Sequence, residues 1–124
     1  MEDLIYKDEC YQIIGRCFEV HNVLGHGFAE VIYKDALEIE FLDYDIYFER
    51  EKGYPVNYKN HRLKRMFNAD FVVFEKIILE VKCVKAITDE HIATVINNLK
   101  VSSNKLALLV NFGRHKLEYR RIVF

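Results

Sequence analysis

Hydrophobic and polar positions divide this chain into two helices, a run of strands, one more helix and two closing strands. From Asp3 to Leu24, Cys10, Ile14, Cys17, Phe18, His21 and Leu24 recur at helical spacing, and Gly25 is a stop signal. After the break Gly25-His26-Gly27, a second helix is expected from Phe28 to Asp43, with Ala29, Ile32, Tyr33, Ala36, Leu37 and Phe41 as its apolar stripe. Asp45 to Glu51 alternates like a half-exposed strand, Gly53 and Pro55 punctuate, and Val56 to Arg65 turns at Lys59-Asn60. Met66 to Val84 reads as a hairpin apolar on both faces, broken by Glu75-Lys76. Thr88 is the expected N-cap, with Asp89 and Glu90 in the first turn of a helix running to Val101. Its stripe is Ile92, Val95, Ile96 and Leu99. Lys105 to Phe112 is a strand of the kind buried on both faces, and Gly113-Arg114-His115 turns the chain into a last strand ending at Phe124. The order implies a mixed sheet flanked by helices, an α/β fold in one domain over residues 1–124.

Within these apolar strands stand three charges: Asp70, Glu80 and Lys82. Alternation places Glu80 and Lys82 on one face. The position of Asp70 depends on the turn. A two-residue turn at Glu75-Lys76 pairs Phe71 with Glu80 and sends Asp70 to the other face. A three-residue turn, Phe74-Glu75-Lys76, pairs Val73 with Ile77 and sets Asp70 opposite Glu80, among Val72, Ile78 and Val84. Buried charge is costly unless it is paired or holds a metal. Both readings stand at this point: an ion pair with Lys82 at the open end of the hairpin, or a metal site.

Glu30 and Tyr33, three apart, share a face of the second helix. Glu30 either answers the positive end of the helix dipole or reaches the charged cluster on the sheet. Tyr33 reads as a core residue whose hydroxyl finds a polar partner. His91 is the histidine expected to face the cleft, whereas His21 suits helix packing.

Composition narrows the class. The 124 residues are 51% hydrophobic and 14% aromatic, with one proline, which argues for a compact core. A net charge of −1 excludes a generally polycationic binder, so any nucleic-acid contact needs a local patch. Two candidates exist: Lys59, His61, Arg62, Lys64 and Arg65, and a C-terminal group of Arg114, His115, Lys116, Arg120 and Arg121. Cys10, Cys17 and Cys83 lack metal-ligand or disulfide spacing and are assigned to packing. Neither a signal peptide nor a membrane span is expected, which makes the cytoplasm the expected location and excludes a membrane partner.

Gly27-x-x-Glu30-x-x-Tyr33, followed by Ala69-Asp70 and Glu80-Val81-Lys82, resembles the GxxExxY proteins, a branch of the PD-(D/E)XK nuclease superfamily. The resemblance extends over nearly the whole chain, including His21, Phe48-Glu49-Arg50-Glu51 and Leu109-Val110-Asn111-Phe112. It implies a restriction-endonuclease-like αβββαβ core with an extra N-terminal helix, and a nuclease acting on DNA or RNA. It further implies that Asp70 and Glu80 hold Mg²⁺ or Mn²⁺ with Glu30 as a further ligand, while Lys82 orients the attacking water. Substrate contact is expected from Tyr33, His91, Thr94, Arg62 and Lys64. Small nucleases of this kind often span duplex DNA with two subunits, so a homodimer is an expected assembly. One departure stands out: Thr94 and Asn98 occupy positions where relatives commonly carry Gln and Tyr. The alternative is therefore a catalytically silent nuclease-fold domain that binds nucleic acid or a protein.

Overall fold

The computed structural model describes residues 4–124, so Asp3, the expected start of the first helix, lies outside it. Helix α1 spans Lys7–Leu24 and ends at Gly25, whose φ of +70° suits a residue without a Cβ and whose N–H donates to His21 O. Its buried face carries Cys10, Ile13, Ile14, Cys17, Val20 and His21, while Phe18 is largely exposed. Helix α2 spans Glu30–Asp43 and buries Tyr33, Leu37 and Phe41; Ile32 stays exposed.

Strand β1 (Phe48–Tyr58) runs straight through Gly53 and Pro55, and β2 (His61–Val73) is equally long. The expected interruption is absent because β1 is the sheet's edge strand, where a proline is tolerated. An irregularity does occur where pairing passes from Pro55↔Met66 to Asn57↔Arg62. Strand β3 (Ile77–Lys82) pairs antiparallel to β2 with Val73 opposite Ile77, so the turn is the three-residue one.

Helix α3 (Asp89–Ser102) is capped by Thr88, whose side-chain oxygen accepts from His91 N–H while His91 Nδ1 accepts from Thr88 N–H. It crosses back to β4 (Leu106–Asn111), which is parallel to β3 and buried throughout; β5 (Glu118–Val123) follows antiparallel. The sheet order is β1-β2-β3-β4-β5. This is the mixed, helix-flanked sheet that the chain's patterning implies.

The sheet separates two cores. On one side α1 and α2 cover Phe71, Val73, Ile77, Leu79, Leu108 and Val110, with Phe41, Leu37 and Tyr33 between. On the other, α3 alone covers Val72, Ile78, Ala107, Leu109 and Ile122 through Val95 and Leu99. Cys10 and Cys17 are buried in the first core, Cys83 packs against it, and all three thiols are free.

Asn111 fastens the ends of β3 and β4 together. Its Oδ1 accepts from Val84 N–H and Gly113 N–H, and its Nδ2 donates to Val84 O and Glu118 Oε1. Gly113 lies so close that a Cβ would stand 2.5 Å from Val84 N and 2.6 Å from Val84 O. No helix among the described residues is long and apolar enough to cross a membrane.

Candidate active site

The β2–β3 pairing runs Val73↔Ile77, Val72↔Ile78, Phe71↔Leu79, so Asp70 and Glu80 follow in register. Both project from the α3 side of the sheet, the side of Val72 and Ile78. Beyond Phe71 the side chain of Asp70 takes over from the backbone: its Oδ2 accepts the N–H of Val81 at 2.8 Å. A charged residue is thereby fixed by its neighbour strand at the point where apolar pairing ends.

Glu80 is only 7% exposed, and Asn98 Nδ2 donates to its Oε1 at a long 3.5 Å. Burial, and then the nearby Asp70 charge, push its pKa up to about 8. Burial and the Asp70 charge therefore favour the protonated form of Glu80. Glu30, half-buried at the start of α2, is also raised, first by burial and then by Asp70. Lys82 completes the group at the end of β3. Glu30, Asp70, Glu80 and Lys82 line one cleft of about 240 Å³, whose other wall is His91, Thr94, Val95 and Asn98 of α3. A larger cavity of about 440 Å³, between Tyr11, Phe18, Tyr44 and Tyr119, is mainly apolar and gathers no carboxylates.

Not every expected residue reaches the cleft. Tyr33 is fully buried and stacked on Phe112, with ring centres 4.7 Å apart. Its hydroxyl donates to Gly25 O at 2.7 Å and accepts from Phe28 N–H at 3.3 Å. Full burial removes Tyr33 from substrate contact, and it instead fixes the loop that delivers Glu30. Arg62 and Lys64 are exposed and do not line the cleft, because Lys64 lies within the β1–β2 irregularity and Arg62 beyond it toward the hairpin tip. His91 and Thr94 do line it, and the Nδ1 of His91 is occupied by the cap. His21 is buried, with Nε2 2.9 Å from Arg114 O.

Two residues escaped sequence reasoning. Lys34 Nζ donates to Asp70 Oδ1 at 3.0 Å and to Glu51 Oε1 at 2.6 Å. The available signal was spacing: Lys34 is four residues after Glu30 and so shares its helix face. Among the described residues, no three His, Cys, Asp or Glu side chains form a ready metal cage.

A family model described as the PD-(D/E)XK nuclease superfamily matches residues 7–122, and the chain belongs to that superfamily. No curated protein matches it. Among solved structures, the crystal structure of SSO0001 is similar over 95% of this chain, with a TM-score of 0.58 and 18% identity. This chain spans 59% of that one, and the likeness is one of fold.

Proposed function

We propose that the cleft is the active centre of a metal-dependent phosphodiesterase that hydrolyses DNA or RNA, of the GxxExxY branch. The observation that carries this reading is the convergence of Asp70, Glu80, Glu30 and Lys82 on one cleft between the sheet and α3. Buried carboxylates side by side, one of them pushed toward its protonated form by burial and by its neighbour's charge, suit a hard divalent ion. Such ions are commonly bound by one or two carboxylates, with water and substrate phosphate completing the shell. Asp70 and Glu80 would hold Mg²⁺ or Mn²⁺, with Glu30 as a further ligand. Held there, the ion would supply an acidified water and would offset charge developing on the phosphate.

The chain's own groups do the rest. Val81 N–H orients the carboxylate of Asp70. Asn98 steadies Glu80. Lys82 aligns the attacking water or stabilises charge on the scissile phosphate. Thr94 and His91 flank the substrate, while Tyr33 keeps the loop before Glu30 in place.

The second reading, a silent nuclease-fold domain, draws on Lys34, which already pairs with Asp70, and on the short Thr94. Titration with Mg²⁺ and Mn²⁺ followed by cleavage assays on single- and double-stranded DNA and RNA decides between them. Turnover that falls about 10²-fold or more in Lys82→Ala, with metal binding kept, supports the enzyme. Absence of cleavage on every substrate selects the silent domain. Size measurement in solution tests the homodimer.

A further inference from the structure

Among the described residues, Lys34 is the one ammonium group that touches a carboxylate of the cleft directly. Its side chain is 13% exposed and bridges Asp70 Oδ1 and Glu51 Oε1. Glu51 lies between the pairs Arg50↔Phe71 and Lys52↔Ala69, hence directly across the ladder from Asp70. Its backbone is left-handed, φ +56°, in the middle of a strand that continues on both sides. No turn requires that conformation, and a glutamate adopts it at a cost. Strain of this kind concentrates at functional sites. It coincides here with the shorter of the two Lys34 contacts.

The oxygens of Asp70 are not equivalent. Oδ2 is committed to the backbone of β3, and Oδ1 takes the ammonium. A divalent ion ligated by Asp70 would compete with Lys34 for the same carboxylate, and two cations on one oxygen repel strongly in a half-buried cleft. We propose that Lys34 is a resident cation that neutralises Asp70 while no divalent ion is bound, and that Glu51 is the counter-ion that retains Lys34 when Asp70 turns to the metal. This rests on the reading of Asp70 as a metal ligand. Lys34 and Glu51 are thus positioning residues that set the threshold for metal entry.

Calorimetric Mn²⁺ titration of the wild type, Asp70→Asn, Lys34→Met, Glu51→Gln and the Lys34→Met/Glu51→Gln double variant tests both levels. Lys34→Met should melt lower without metal, yet bind Mn²⁺ about three- to tenfold more tightly. Glu51→Gln should bind it more weakly by a similar factor, because the ammonium then stays on Asp70. In the double variant the Glu51 effect should vanish, since Glu51 acts through Lys34. An equal loss from Glu51→Gln in both backgrounds would mean simple through-space charge and would overturn the proposal. Equal Mn²⁺ binding by wild type and Asp70→Asn, or none by either, would instead sink the metal-site reading itself. Should Lys34→Met fail to fold, the ¹H–¹⁵N signal of the Lys34 ammonium in the wild type serves in its place. Movement of that signal on adding Mg²⁺ supports release from Asp70; an unmoved signal with metal bound refutes it.

Discussion

Glu80 contributes to the pH dependence of stability with a definite sign. In the unfolded chain it ionises near its ordinary value of 4.5, whereas burial and Asp70 hold it at about 8 in the fold. Below about pH 4.5 both states are protonated and nothing is lost. As pH rises from there to about 8, the unfolded chain releases a proton that the fold keeps, so stability declines through this window. Glu80→Gln removes that decline. Metal-free Glu80→Gln should melt above the wild type at pH 8 and higher, by on the order of 2 kcal/mol or roughly 5 °C, and converge with it near pH 4.5. Thermal melts across that range check the expectation. Thr94→Gln tests the opposite wall: a longer amide reaching across the cleft should raise turnover, by up to about tenfold if it restores a positioning donor. Single-turnover cleavage reads this directly. At this scale Asp70, Glu80, Lys82 and Glu30 were legible because charge interrupts apolar strands or borders an apolar stripe. Lys34 and Glu51 were not, because a lysine on a polar helix face and a glutamate on an alternating strand look like solvated surface.

Among the elements, alternation fixed which residues of one strand share a face, but not the phase between two strands. That phase lies in the turn, where Phe74 and Glu75 both take left-handed backbone, φ +56° and +63°. Neither is Gly or Asn, so no residue type announced the three-residue loop. The long β1–β2 pair escaped for a related reason, since Gly53 and Pro55 break central strands and are tolerated at an edge. The junction of β4 with the loop after β3 makes its own prediction. Gly113→Ala would drive a methyl into the backbone of Val84, which cannot rotate away as a side chain tip can. The variant should lose about 1–3 kcal/mol in urea unfolding, and with it the Asn111 bonds to Val84 that hold the end of β3.

For the whole molecule, charge distribution matters more than the net value of −1. Lys85, Arg114, His115 and Lys116 surround a shallow depression of about 450 Å³ together with Gly113. The contact of Gly113 with Val84 keeps that depression beside the end of β3, where Lys82 enters the cleft. A bound nucleic acid would meet these groups through its phosphates. Replacing Arg114 and Lys116 by Ala should weaken binding and reduce the slope of log affinity against log salt by about 1–2, while leaving the Mg²⁺ response of the melting temperature unchanged. Fluorescence anisotropy at several salt concentrations measures that slope.

One side of the sheet is covered by two helices and the other by α3 alone, which buries fully only Val95 and Leu99. The cleft therefore has one wall built on the deeply covered strands and one on the most lightly anchored helix. Amide hydrogens of α3 should exchange with solvent through local openings, at rates set by a smaller free energy than those of β3 and β4. A ligand bridging both walls would slow exchange in α3 selectively. Deuterium uptake with and without Mg²⁺ and an oligonucleotide would then report occupancy of the cleft even in a variant that turns nothing over.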